Sequence, residues 1–212
     1  MSDKPFLPTP DELLKGKRQP DLVEVPARLV LALDGAGGPG EAAFSSSVAA
    51  LYGISYTLRF ARKKAGNPVF KVGVLEGEWR AEGENLPIHE VPSQDTWRWR
   101  LQMCVPPDLT EEELKLAVEA ATTKRGGKLE SSEEAGRVRL LSIEPSRFAR
   151  ILHVGPYATE PESFAKIDEL LSAEGLRREP WHMEVYLSDP SRTAPEKLKT
   201  GLLTKLLEGG VR

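Results

Sequence analysis

The sequence predicts an α+β fold in which one β-α-β-β unit is used twice, giving one antiparallel sheet with helices on one side and a cleft between the halves. Three observations carry this. Strand-like and helix-like segments alternate along the chain. Ala27-Arg-Leu-Val30 resembles Ala149-Arg-Ile-Leu152, and both runs lead into a Gly/Pro turn and a helix. Phe44-x-x-x-Val48-x-x-Leu51 also lies opposite Phe164-x-x-Ile167-x-x-Leu170-Leu171. Chance likeness of two strand-helix units is the alternative.

Residues 1–25 hold Pro5, Pro8, Pro10 and Pro20 among many charges and read as an irregular arm. The rest, 26–212, reads as a single domain. Its repeat halves cover about 26–105 and 136–190, with an inserted helix near 110–125 and a C-terminal helix near 194–207. Ala27–Asp34 is a short apolar run closed by the glycine-rich turn Gly35–Gly40, hence a strand. Glu41–Lys64 lacks proline and spaces Phe44, Val48, Leu51 and Leu58 as a helix does, with Tyr52, Tyr56 and Phe60 as a second stripe.

Phe70–Val74 and Trp97–Val105 alternate as half-buried strands; Trp97, Trp99, Leu101, Met103 and Val105 share one face of the second. Thr110–Glu113 and Thr159–Glu162 both have capping-box spacing ahead of amphipathic helices, and Gly126-Gly127 and Gly175 are placed to end them. Val138–Ile143, Phe148–Val154 and Met183–Ser188 read as further strands. Leu198, Leu202 and Leu206 give the last segment the apolar line of a helix.

Composition excludes more than it selects. With 29 basic and 32 acidic residues the net charge is −3, which leaves no electrostatic footprint for nucleic acid. The longest apolar stretch, Leu29–Leu33, is far too short to span a membrane. Met-Ser-Asp-Lys-Pro is no secretory signal, and the lone Cys104 fits a reducing cytoplasm. His89, His153, His182 and Cys104 lack metal-ligand spacing, so neither a metal nor a cofactor is expected. The turn Gly35–Gly40 lacks the Lys-Ser/Thr of a phosphate cradle.

Four tryptophans, Trp79, Trp97, Trp99 and Trp181, stand among 14 aromatic residues. Each alone reads as core. Glu76-Gly-Glu-Trp79, however, sets two carboxylates beside an aromatic, and Trp97 with Trp99 could wall a site for a flat ligand. Glu184 lies in mid-strand on the same face as Tyr186. It is either solvated or enclosed; enclosed, it could move a proton or attract a delocalised cation. Tyr157 follows the turn His153-Val-Gly-Pro156 and could donate at the mouth of the cleft. His153 reads either as a ligand contact or as a satisfied core histidine.

Phe148–Tyr157, the helix after it, and Glu184-Val-Tyr-Leu-Ser-Asp-Pro190 resemble the GyrI-like small-molecule-binding proteins, which include the DNA gyrase inhibitor and effector domains of multidrug-responsive regulators. Tyr52-Gly-Ile-Ser-Tyr56, Glu76–Trp79, Trp97-Arg-Trp99 and Arg192–Lys199 are similar to a stand-alone bacterial branch, so the likeness spans roughly residues 22–200. The resemblance implies duplicated β-α-β-β units of SHS2 type around a cleft carrying Glu184. Some stand-alone members are cyclopropanoid cyclohydrolases, which open the cyclopropane of DNA-alkylating compounds with water.

Carried over, Glu184 would orient or deprotonate the water. Tyr157, Trp79 or Trp99 would donate to the substrate carbonyl, and Trp97, Trp99, Tyr52, Tyr56, Tyr186 and His153 would line the ligand site. The expected partner is an aromatic or apolar small molecule. Alternatives are a non-catalytic binder of hydrophobic cations and an interaction protein like the gyrase inhibitor. Twenty-five residues before the domain are too few for a helix-turn-helix, which weighs against a transcription regulator. The oligomeric state is open between monomer and homodimer.

Overall fold

In the computed structural model, residues 6–83, 90, 93–123 and 132–207 are described. Three stretches set the core of the first unit. Arg28–Ala36 (β2) buries Val30, Leu31, Ala32 and Leu33. Ala42–Ala65 (α2) turns Leu51, Ile54 and Leu58 onto that strand. Trp97–Val105 (β4) pairs antiparallel with β2 and, through Leu75–Ala81 (β3), with the second unit. The second unit repeats the plan with Ser146–Val154 (β6), Glu160–Ala173 (α5), Arg178–Tyr186 (β7) and Lys199–Leu206 (β8). Asp21–Val25 (β1) and Arg139–Ile143 (β5) complete an eight-stranded antiparallel sheet of order β1-β6-β8-β7-β3-β4-β2-β5.

That order is unchanged when the list is reversed and each strand of one half is exchanged for its counterpart, β1 for β5 through β4 for β8. The two units are therefore related by a pseudo-twofold between β3 and β7. Moreover, the strand preceding each unit crosses to the far edge of the other: β1 pairs β6, and β5 pairs β2. Directly paired residues share a face. Register thus places Trp99, Trp79, His182, Thr204 and Ala149 on one face of the sheet. The side chains of α2 and α5 pack on that same face.

Several expectations give way. The segment 194–207 is a short 3-10 turn, Pro195–Lys197, followed by β8 rather than a helix. Leu198, Leu202 and Leu206 are four apart, a spacing that repeats on a strand face as well as on a helix. Gly201 weakens the helix alternative, and Thr200 and Thr204 favour the strand. The second half therefore extends beyond 190. Within residues 6–25 the expected irregular arm holds regular elements: Asp11–Leu14 (α1) buries Leu13, and β1 is an edge strand. Of Phe70–Val74 only Phe70 bridges, to Phe6; the sheet strand starts at Leu75.

Glu111–Thr123 (α3) opens with the expected capping box, Glu113 N–H donating to Thr110 Oγ1 at 3.2 Å and Thr110 N–H to Glu113 at 3.1 Å. Ser132–Arg137 (α4) precedes β5. The second capping box does not form, because Tyr157–Thr159 is a 3-10 turn and the Thr159 hydroxyl donates to Pro156 O instead. At the other end of α5, Gly175 takes a positive φ of 65°, and Leu176 N–H reaches Leu171 O. Gly126-Gly127 and His89 lie outside the described residues.

Candidate functional site

The pseudo-twofold leaves a cavity of about 920 Å³ between α2 and α5, floored by β3 and β7. Its first-unit wall is aromatic. Phe44 on α2 stacks on Trp79 of β3 (centroids 5.6 Å, 23°), and Trp97 meets Trp79 edge-on at 5.9 Å. Tyr52, one helical turn beyond Val48, continues this wall. Trp99 sits beneath it rather than in it: 2% exposed, it packs edge-on to Phe44 and fills the space over Gly35, where an added Cβ would meet its ring at 2.1 Å. Each aromatic side chain buried here contributes about 1.5–3 kcal/mol.

The second-unit wall is polar. Glu184 and its flanking same-face residues His182 and Tyr186 project from β7 into the cavity, and Tyr157, Glu160 and Phe164 descend from the start of α5. Glu184 is enclosed, its side chain 13% exposed, with Oε1 3.0 Å from His182 Nε2. That hydrogen bond to a carboxylate requires the proton on Nε2. Trp79 Nε1 donates to Tyr186 Oη at 3.1 Å. Burial first, and the charge of Glu184 second, hold both the Tyr186 and Tyr157 phenols above the usual tyrosine range, so both keep their protons.

Glu160 is the residue that sequence reasoning missed. It is 7% exposed and lines the cavity, and its Oε1 has no hydrogen-bond partner among the described residues. Burial, then the nearby Glu184 charge, push its carboxyl far above the usual range against the opposing Thr200 hydroxyl. Its place in the first turn of α5 favours the anion by only ~0.3–1 kcal/mol, less than burying a second unpaired carboxylate would cost. The site therefore sets Glu184, held by His182, beside Glu160, a carboxyl that burial keeps in its acid form. In the sequence Glu160 looked like an ordinary acidic residue at a helix start; no local signal marks it.

Other expected site residues fall elsewhere. Tyr56 is 49% exposed and stacks on Phe60 outside the cavity, because its position on α2 lies past the turn that faces the cleft. His153 is a satisfied core histidine, Nδ1 2.9 Å from Ser163 Oγ and Nε2 3.2 Å from Pro156 O. It anchors the turn that presents Tyr157 and Glu160. Trp79 Nε1 is already spent on Tyr186, which leaves Trp79 as wall rather than donor.

Glu76 and Glu78 do not stand beside Trp79 but on the opposite face of β3, as the strand period demands. Glu76, fully buried, is held there by Arg28 (3.2 Å), Gln102 (2.8 Å) and Cys104 (3.3 Å). Burial and the Glu76 charge drive the Cys104 thiol far up, so it is unreactive.

The profile of the GyrI-like small molecule binding domain matches residues 106–206. Among solved structures, a conserved protein from Listeria innocua is 32% identical, covers 91% of this chain and 94% of its own, and superposes with a TM-score of 0.81. The chain belongs to the GyrI-like family. Another solved structure, described as a hydrolase from Listeria innocua, is 30% identical over 93% of this chain and 96% of its own, with a TM-score of 0.81. The C-terminal domain of EcmrR, 12% identical over 89% of this chain and 97% of its own, shares the fold at a TM-score of 0.52. No curated protein matches the chain at a significant level. Among the described residues of this GyrI-like chain, no helix is long and apolar enough to cross a membrane.

Proposed function

We propose that this protein is a hydrolase that opens the strained cyclopropane of flat, largely apolar alkylating compounds by adding water. The reading rests on one observation: the Glu184 carboxylate, held by His182, faces an aromatic-walled cavity large enough for a drug-sized ligand. The flat unit stacks between Phe44, Trp79 and Trp97. Glu184 takes a proton from the attacking water. The water oxygen bonds to the cyclopropane methylene, the opposed C–C bond breaks, and its electron pair runs to the conjugated carbonyl oxygen. The Tyr157 hydroxyl, at the mouth and still protonated, stabilises the charge that develops there. The cytoplasm is the compartment where such a detoxifying activity protects DNA.

The test is incubation with a cyclopropane-bearing alkylator and detection of the water adduct by mass. Turnover beyond one equivalent that falls about a hundredfold or more in Glu184→Gln, and persists in the exposed control Glu196→Gln, supports the hydrolase.

A second reading, a non-catalytic binder of hydrophobic aromatic cations, has its own support. Glu160, Glu184 and Asp189 line the cavity, and no Lys or Arg does so among the described residues. Weaker cation binding in Glu184→Gln, with no substrate consumed by the wild type, would favour it. An interaction module like the gyrase inhibitor calls for a cleft filled by side chains, and 920 Å³ of space argues against that. It would instead give a stable protein complex indifferent to ligand.

A further inference from the structure

The mechanism above leaves one buried group without work. Glu160 enters the cavity from the first turn of α5, 7% exposed, with Oε1 pointing to no hydrogen-bond partner among the described residues. A buried carboxyl oxygen without a partner disfavours the charged form, and the rest of the side chain lines the ligand space. Glu184 and the Thr200 hydroxyl of β8 act on it directly, and the same cavity is lined by His182 and Tyr186 from β7, Tyr157 from the preceding turn, Asp189 and, from α2, Tyr52. Glu184 is engaged by His182. The lining thus offers a ligand one carboxylate that accepts and one carboxyl that has a proton to give.

We propose that Glu160 is a second working carboxyl of the cavity, one that hydrogen-bonds an acceptor oxygen (carbonyl or phenolic) on a flat apolar ligand and passes its proton to that oxygen when the ring opens. The first half of this stands for a binder as well; the second rests on the hydrolase reading. The step balances. Water loses a proton to Glu184 and its oxygen bonds to carbon, the C–C electron pair arrives at the carbonyl oxygen, and Glu160 protonates that oxygen. The two carboxyls have then exchanged states, and one proton passing from Glu184 to Glu160 restores the resting enzyme. The substrate class follows: a neutral aromatic bearing an oxygen in conjugation with the strained ring, in preference to a cation lacking any acceptor.

Two fluorescent probes of equal shape separate the ideas: acridone, flat and neutral with one carbonyl, and N-methylacridinium, flat and cationic with none. The full-length protein binds acridone near neutral pH and loses about tenfold in affinity at about pH 10, as Glu160 ionises. In that window Asp189 is already charged, and Tyr52, Tyr157 and Tyr186 are held above the usual tyrosine range. N-methylacridinium shows the opposite trend. Glu160→Leu weakens acridone about tenfold at neutral pH and abolishes its pH dependence. Glu160→Gln, which keeps an N–H donor, retains acridone binding without pH dependence. Circular dichroism verifies that both variants stay folded.

Wild-type acridone affinity in Glu160→Leu, or affinity flat with pH in the wild type, overturns the proposal. With the cyclopropane-bearing alkylator, Glu160→Gln should bind but turn over about a hundredfold more slowly. Wild-type turnover in that variant overturns the acid role and leaves the hydrolase reading standing. The acridone pattern without any water adduct from wild-type protein overturns the hydrolase reading and the proton-transfer step, and leaves the oxygen-binding role intact.

Discussion

The two β-α-β-β units share a backbone plan and a position relative to the cavity, yet they line it with opposite chemistry. Phe44 and Phe164 occupy matching places on α2 and α5, and both face the ligand space. Around Phe44 the first unit adds Tyr52, Trp79 and Trp97. Around Phe164 the second adds Glu160, His182 and Glu184. The contrast is sharpest at the join, where Gly77 of β3 lies directly opposite Glu184 of β7. A Cβ at Gly77 would stand 2.9 Å from Trp79 Nε1 and 3.0 Å from Tyr186 Oη. The bare position in one unit makes room for the hydrogen bond that ties its tryptophan to Tyr186 of the other. Duplication supplies the frame, and divergence of facing positions supplies the site.

The repeated arginines differ in the same way. Arg28 is spent on Glu76 inside the back face, whereas Arg150 grips Asp21 at 2.7 Å and Glu12 O, fastening the N-terminal segment to the second unit. Breaking the first should be the largest disturbance to stability. Arg28→Met strands a fully buried carboxylate, and we expect a loss of about 3–5 kcal/mol, with Glu76→Leu in the same chain restoring much of it. Chemical denaturation measures both. Ligand affinity of the folded fraction should not change, since this pair lies on the far side of the sheet.

Gly77→Val attacks the join instead. Overpacking there should cost ~1–3 kcal/mol and separate Trp79 from Tyr186. Affinity for acridone, measured by fluorescence titration, should fall along with stability, a coupling that Arg28→Met lacks.

The acidic unit also has a stability signature. A carboxyl whose pKa is raised by folding stabilises the fold below its unfolded value, near pH 4–5, and withdraws that contribution as pH climbs to about 9. Glu160→Gln should therefore gain on the wild type as pH rises, melting ~4 °C or more higher at pH 9 relative to the difference at pH 5. Scanning calorimetry across that range reads it, and a constant gap would contradict the assignment. The smallest effect is expected from Tyr56→Ser, within about ±0.5 kcal/mol and without change in ligand binding, because that ring lies outside the cavity.

Much of this was legible in the sequence where local pattern and burial agree. The alternation from Trp97 to Val105 gave the strand and its aromatic face, and the spacing in α2 gave its buried side. What was not legible depended on partners distant in the chain. Glu76-Gly-Glu-Trp79 does not look like a central strand until Arg28 and Gln102 are seen to compensate its buried carboxylate. Leu198, Leu202 and Leu206 fit two periods at once. Asp21–Val25 is short, flanked by prolines, and strand only because β6 receives it. In the candidate site, Glu184 drew attention by its mid-strand setting and the family resemblance, with solvated and enclosed readings both open until the cavity was seen, whereas Glu160 acquires its character from the tertiary approach of Glu184 and Thr200.

The crossing of β1 and β5 to opposite edges has a bearing on how such a chain could arise. Neither half owns the strand that finishes its own sheet, so a fragment cut between them would expose an unpaired edge beside β6 or β2. A half-length ancestor could complete this architecture only as two identical copies trading their first strands, with the ligand held on the symmetry axis. Fusion of the two genes would have freed each side of that axis to vary alone, permitting a grease-lined wall to confront an acid one.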